Sequence, residues 1–222
     1  MIWDWNYVVE IIPALLSGLV VTIRITFFSV VLALSGGLLL AVLQLSPVRL
    51  ISVPTRGFIE FVRSTPLLVQ LYFLFFVLPD IGIVMSPEVT GIIGLGLHFS
   101  AYTAEVYRAG IQGVAQGQYE AAKALNLSPY WTFRSIVLPQ AVTSILPALG
   151  NYSLSMFKET SLLISISVIE LLGTAEHLAY ETYKYFEPLT MVGILFFCVT
   201  YPTSIFLRWL ERWLARKMGK AT

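Results

Sequence analysis

The sequence predicts an all-α integral membrane protein from its composition, its hydrophobic segments and the placement of its basic residues. Apolar residues make up 57% of the 222 residues and charged residues only 12%, with a mean hydropathy of +0.78. A soluble domain carries about a quarter charged residues. The composition therefore excludes an ordinary soluble domain, and residues 1–222 are expected to form a single transmembrane domain.

Hydrophobic segments recur about five times, and each is close to the roughly 20 apolar residues that a membrane-spanning helix needs. Proline, glycine or charged residues separate them, with Pro47 and Pro54 around the first connection, Pro79 and Pro87 around the second, and Pro188 before the last segment. The predicted spans are residues 19–43, 58–78, 89–111, 141–165 and 189–210.

The basic residues predict the orientation, because cytoplasmic loops hold the excess of Lys and Arg. With an odd number of spans, the N-terminus is expected outside and the C-terminus in the cytoplasm. The opposite loops are acidic, with Lys184 as the one basic residue between Glu170 and Glu187. The basic residues assigned to the cytoplasmic side are Arg49, Arg56, Arg108, Lys123, Arg134, Arg208, Arg212, Arg216, Lys217 and Lys220.

Residues 117–141 form a polar stretch among the apolar segments. Residues 119–125 are mostly good helix formers, and Asn126 follows them as a residue that tolerates the left-handed conformation at a helix end. Ser128 and Pro129 then suit the N-cap and first position of a new helix. The pattern predicts two short helices joined at an angle, with an ordinary interfacial loop helix as the plainer alternative.

Several motifs resemble one family. Glu120-Ala121-Ala122, Asn126, Ile136 and Leu138-Pro139 resemble the EAA loop that bacterial ABC importer permeases insert into their ATPase. The stretches RSTPLLVQL from Arg63, AEVYRAGI from Ala104 and KETSL from Lys158 resemble the polar amino acid uptake subfamily of these permeases. The likeness covers most of the chain from Gly18 onward, with Asn126 standing where the family usually has glycine.

The resemblance implies a multi-pass permease of the bacterial inner membrane with a type I importer fold. Its coupling loop, about residues 112–139, would contact the ATPase through Glu120, Ala121, Ala122 and Asn126. The chain lacks a G-x-x-x-x-G-K-[ST] phosphate loop, so ATP and Mg²⁺ are expected on the partner and no cofactor or metal in this chain. The implied partners are an ATPase dimer, a second permease subunit, identical or homologous, an extracytoplasmic solute-binding protein and a small zwitterionic solute, with no nucleic acid.

Two sets of polar residues are candidates for the substrate pathway. In the third span, His98, Tyr102 and Glu105 recur at helical spacing and form one polar stripe. The stripe either lines a pathway or is a buried network that ties helices together.

The fourth span carries the second set, Asn151, Ser155, Lys158 and Glu159. Lys158 and Glu159 supply the two charges that a zwitterion needs, and in the resembled family this position lines the translocation pathway. The alternative is a Lys-Glu pair made with neighbouring subunits.

Other charged groups have simpler interpretations. Arg24 is expected to extend to the membrane interface, and Glu60 and Arg63, three residues apart, are expected to pair with each other. Residues 170–187 are expected to form an acidic outer loop, either a docking surface for the binding protein or a solvated loop with interfacial tyrosines.

A secondary transporter and an enzyme are the two other classes of function to consider. A proton-coupled secondary transporter subunit is the alternative, since His98, Glu105 and Glu159 offer a proton relay, although about five spans are few for a body with inverted repeats. An enzyme is not expected, because no catalytic constellation is present and Cys198 lies alone in an apolar segment. Polar amino acids are the implied solutes. The residues around Arg63-Ser64-Thr65-Pro66 also resemble permeases for ectoine and hydroxyectoine.

Overall fold

The computed structural model describes residues 3–217, and the regular elements in that part of the chain are all helical. Short turns and π- or 3-10-helical extensions connect the α-helices. In order these helices are α1 (Trp5–Gln44), α2 (Arg49–Ser64), α3 (Leu67–Tyr72), α4 (Pro87–Gln112), α5 (Gln116–Ala124), α6 (Pro129–Thr132), α7 (Leu138–Glu159), α8 (Leu171–Thr182) and α9 (Phe186–Lys217). The side chains of residues 215–217 and all of Lys220, counted in the charge prediction, lie outside the described part.

Helix α1 begins well before the predicted residue 19. Asp4 caps it, since its carboxylate accepts hydrogen bonds of 3.1 Å from the backbone N–H groups of both Asn6 and Tyr7. At 1.5 Å per residue, its 40 residues extend about 60 Å, against a hydrocarbon core of roughly 30 Å. The helix is therefore longer than one membrane span needs, and its first turns pack against α8 and α9 through Tyr7, Ile11 and Leu15.

Small residues bring α1 and α4 into close contact. A side chain at Gly37 would collide with Thr103 Oγ1, and it would lie 2.9 Å from the backbone oxygen of Ser100. Thr103 Oγ1 also donates a 2.8 Å hydrogen bond across the interface to the carbonyl of Ala33. Small residues at the contact allow backbones to approach in this way, and the approach places α4 in the centre of the fold.

The predicted second span is broken. Helix α2 and the segment Leu67–Ile81 meet at an angle of 105° around Thr65 and Pro66, so the straight span 58–78 was wrong. Pro54 lies inside α2 and does not bracket a connection. The Gln70 amide stabilises the break by donating to the carbonyl of Val62 at 2.8 Å and to Thr65 Oγ1 at 2.7 Å.

The predicted outer loop at residues 170–187 is mostly the helix α8. Glu170 is its N-cap and is fully buried, with Oε1 accepting from the backbone N–H of Gly173 at 2.9 Å and Oε2 from the Thr22 hydroxyl at 3.2 Å. This glutamate joins α8 to α1 and is not a surface charge. At the other end, Lys184 binds Asp4 at 3.0 Å, and this contact holds the pKa of the exposed Asp4 carboxyl below its usual range.

Two of the described helices, α1 and α9, are long and apolar enough by themselves to cross a membrane. Two more spans result if each bent pair counts as one, namely α2 with Leu67–Ile81, and Pro129–Ile166 with α8. Helix α4 coincides with the predicted span 89–111 but carries many small and polar residues. Its composition fits its position, because its neighbours bury much of its surface.

Candidate functional site

The segment predicted as a coupling loop has the predicted two short helices, joined at a left-handed residue. Helix α5 ends in a left-handed residue, Asn126, with φ of +56°. The backbone N–H of Leu127 donates to the carbonyl of Ala122 and that of Asn126 to the carbonyl of Lys123, both at 3.0 Å. These two bonds define a Schellman ending, in which the left-handed residue reverses the chain and satisfies the last carbonyls of the helix.

The second helix of the loop also begins as predicted. The Ser128 hydroxyl accepts a hydrogen bond from the backbone N–H of Trp131 at 3.4 Å, and Pro129 occupies the first helical position. From Phe133 to Val137 the helix widens into a π-helical turn, and it then continues as α7. Helix α6, the π-helical turn and α7 therefore form one uninterrupted helical segment. A movement imposed on α6 would reach α7 directly.

The exposed side of the bend offers a contact surface. Glu120 and Ala121 are exposed, whereas Ala122 is buried at 1% exposure, so Ala122 packs beneath the loop and not on its surface. Beside Asn126 lies an open cavity of about 330 Å³, lined by residues that include Tyr119, Lys123 and Phe133.

The stripe on α4 divides into two parts. His98 is buried and its Nδ1 lies 3.1 Å from Gln70 Oε1. Tyr102 continues the stripe, with its ring centroid 5.1 Å from that of His98 and 5.6 Å from that of Tyr152 on α7. His98 and Tyr102 therefore lie where α4 faces both the break after α2 and the helix α7.

Glu105 belongs to a different environment. Its carboxylate forms a salt bridge of 2.7 Å with Arg108, one turn further along α4, and Arg108 Nη1 donates to Gln112 at 2.7 Å. This cluster lines an open cavity of about 390 Å³ between α1, α2 and α4. Glu105 is therefore an ion-paired residue at the α5 end of the stripe.

The four candidates on α7 lie on its partly open faces. Asn151 and Lys158 are exposed, and Ser155 and Glu159 are half-buried. Among the described side chains, neither Lys158 nor Glu159 has an ion-pair partner within 4 Å. Two opposite charges are thus available to a ligand or to another subunit at neighbouring positions near the end of α7.

The structure also reveals residues that the sequence patterns did not single out. Gln70 and Tyr152 complete the surroundings of His98 and Tyr102, and only contacts between distant helices identify them. Arg24, expected at the membrane interface, pairs with Glu88: its Nη2 lies 2.7 and 2.6 Å from the two carboxylate oxygens, and both side chains are about half exposed. The expected pair of Glu60 and Arg63 is present at 3.8 Å.

Within residues 3–217, no group of three or more His, Cys, Asp or Glu side chains has the arrangement of a metal site. Cys198 is free and exposed on α9. The described arrangement consists of a bent loop, a polar and aromatic helix face, and unpaired charges near the membrane-spanning helices.

Known proteins share this arrangement of helices. Residues 33–219 match the family described as binding-protein-dependent transport system inner membrane component. A probable amino-acid ABC transporter permease of Sinorhizobium fredii is 41% identical, covering 93% of this chain and 91% of that protein. The nopaline transport system permease protein of Agrobacterium fabrum is 34% identical, covering 95% and 92% of the two chains.

Solved structures agree with the family. The crystal structure of an amino acid ABC transporter with histidines matches with a TM-score of 0.92 at 36% identity, covering 96% of this chain and 99% of the other. The MetNI methionine ABC transporter has the same fold, with a TM-score of 0.77 at 18% identity, covering 92% and 98%. These relatives are transport permeases and lend no support to a proton-coupled secondary transporter. The chain therefore belongs to the family of inner membrane components of binding-protein-dependent transport systems, as a permease subunit with the type I ABC importer fold.

Proposed function

We propose that this permease imports a small zwitterionic solute, an amino acid or an amino-acid-derived compound such as ectoine, using ATP hydrolysed by a partner ATPase. Its relatives include permeases whose names specify amino acids, nopaline and glutamine. All three compounds carry an ammonium or amidinium group together with a carboxylate. A pathway for them needs both charges and a polar lining.

The bent coupling loop is the observation that carries the proposal. Glu120 and Ala121 are exposed at the bend, and the π-helical turn joins the loop to α7. If an ATPase dimer binds this bend, its conformational change would move α7 and, with it, Lys158 and Glu159. A second permease subunit closes the pathway, an extracytoplasmic binding protein delivers the solute, and the basic side that holds α5 and α6 faces the cytoplasm.

The coupling role is tested by Glu120→Lys in proteoliposomes that contain the permeases, the ATPase and the binding protein. We expect ATP-driven uptake to be lost while membrane insertion is retained, because the substitution reverses the charge at the docking surface. The matched control is Glu10→Lys, an exposed helical glutamate on α1. Wild-type uptake by Glu120→Lys would refute the docking assignment, and uptake that survives ATP depletion would refute ATP coupling itself.

The pathway role of α7 is tested by Lys158→Ala and Glu159→Ala. We expect each variant to fold and to lose most solute uptake, because each removes one of the two charges offered to a zwitterion. Uptake and the apparent melting temperature are measured on the same preparations. Reduced stability with normal uptake by the remaining folded protein would instead assign the pair a structural role between subunits.

A further inference from the structure

A second charged site lies at the end of the α4 stripe that is nearer to α5. It is the open cavity of about 390 Å³ between α1, α2 and α4, within the roughly 300–1,000 Å³ typical of small-ligand sites. Its polar lining consists of Gln44, Arg56, Glu60, Arg63, Glu105, Arg108 and Gln112. The sequence patterns indicated Arg56 and Arg108 as topology signals and Glu60 and Arg63 as a local pair.

Two arginines of the cavity, Arg56 and Arg63, have N–H donors that are free to bind a ligand. Each of the three guanidinium nitrogens of Arg108 already donates a hydrogen bond, two to Glu105 and one to Gln112. Arg56, by contrast, donates to the carbonyl of Gln44 at 3.2 Å and has no carboxylate partner among the described residues. Arg63 lies 3.8 Å from Glu60, beyond a good hydrogen bond. Each guanidinium offers five N–H donors in a fork that fits a carboxylate.

The same helix face supplies an acceptor for an ammonium group. Arg56, Glu60 and Arg63 are four and three residues apart and share one face of α2. The Glu60 side chain is 74% exposed, and its hydrogen-bond partner in the described chain is the Ser64 hydroxyl at 3.4 Å. Because its ion pair with Arg63 is a long contact of 3.8 Å, this carboxylate can still accept a hydrogen bond from an ammonium group. A carboxylate between two arginines suits a zwitterion better than a simple anion, which Glu60 would repel.

The cavity lies beside the aromatic stripe. Arg63 Cζ lies 5.5 Å from the centroid of the Tyr102 ring, and Tyr102 in turn contacts His98 and Tyr152. Charged side chains exposed to hydrocarbon would cost several kcal/mol each, so the charged face of α2 must face water or a second subunit. The cavity therefore lies next to the stripe, on a face that is open to water or to a second subunit.

We propose that this cavity is a second binding site for the transported zwitterion, where Arg56 and Arg63 hold the carboxylate and Glu60 the ammonium group as the solute leaves. The inference rests on the proposed import function. The zwitterionic headgroup of phosphatidylethanolamine has the same chemistry, so the test must separate a free solute from a lipid.

The test measures binding to the permease–ATPase complex in nanodiscs without nucleotide or binding protein. The probe is a radiolabelled mixture of the proteinogenic L-amino acids, and the Lys158→Ala background removes the site proposed on α7. We expect Arg56→Gln and Arg63→Gln to raise the dissociation constant about 10–100-fold, as the loss of a charged hydrogen bond predicts. Arg49→Gln, on the same helix but outside the cavity, should leave binding unchanged.

The outcomes separate this site from the import function. Unchanged binding in both cavity variants, while wild-type protein shows ATP-driven amino acid uptake, would overturn the site alone. Absence of uptake of any amino acid and of ectoine by the complete wild-type importer would overturn both proposals. No saturable binding of the amino acid probe, together with binding of radiolabelled glycerophosphoethanolamine that Arg56→Gln weakens, would assign the cavity to lipid and refute a solute site. If Arg63→Gln does not elute as a folded complex, the exposed Arg56→Gln decides the result.

Discussion

Replacement of Asn126 by alanine tests the bent coupling loop most directly. In the structure this residue has φ of +56°, and its N–H and that of Leu127 close the end of α5. An L-residue with a Cβ costs roughly 1–2 kcal/mol in the left-handed region, whereas glycine is unstrained and asparagine offsets part of the cost by local hydrogen bonding. Asn126→Gly should therefore keep the bend, and Asn126→Ala should weaken it.

The size of the effect follows from that cost. A difference of about 1–2 kcal/mol changes an equilibrium by a factor of about 5–30. If the ATPase binds only loops that are bent, its apparent dissociation constant equals the intrinsic value divided by the fraction of loops that are bent. Relative to Asn126→Gly, we therefore expect Asn126→Ala to need up to about 30-fold more ATPase for half-maximal assembly.

The assay titrates purified ATPase against each permease variant in nanodiscs and then measures solute transported per ATP hydrolysed in proteoliposomes. Wild-type protein should fall close to Asn126→Gly. Equal ATPase affinity and equal coupling in the alanine and glycine variants would refute the reasoning, because the left-handed residue would then have no part in docking.

Two further predictions concern stability. Gly37→Ala should lower the apparent melting temperature, because overpacking against Thr103 costs about 1–3 kcal/mol. The control is Gly193→Ala, where an added Cβ meets nothing within 4 Å, and it should leave the melting temperature unchanged or raise it. Equal melting of the two variants would contradict the close α1–α4 contact. Glu170→Ala should destabilise by about 1–3 kcal/mol for each donor left unsatisfied, and Glu170→Gln, which keeps an acceptor for Gly173, by less. Equal losses in the two variants would contradict this reasoning, because the hydrogen bond that glutamine keeps would then contribute nothing.

Local chemistry predicted the coupling loop well. A left-handed tolerance at Asn126 and an N-cap at Ser128 are properties of short sequence segments, and the structure has both. The α4 stripe was predicted as a pattern, but its partners were not. Gln70 and Tyr152 contact it from helices 28 and about 50 residues away along the chain, and no periodicity within α4 identifies them.

The charged residues show the same division. The sequence spacing of Glu60 and Arg63 predicted a pair within one helix, and the pair is present. Arg24 and Glu88 are 64 residues apart, and their pairing depends on how α1 packs beside α4. Glu170 looked like one of several loop acids, yet the packing of α8 against α1 buries it completely.

By itself the sequence determined that this chain is a helical membrane protein with a bent polar loop and a likeness to ABC importer permeases. Hydropathy, helix caps and short motifs encode these properties because each depends on residues close together in the chain. Only the tertiary structure decided the 105° break after α2, the burial of Glu170 and the cavity that joins Arg56 and Arg63 to Arg108. Those features depend on contacts between distant helices, which form only when the whole bundle packs.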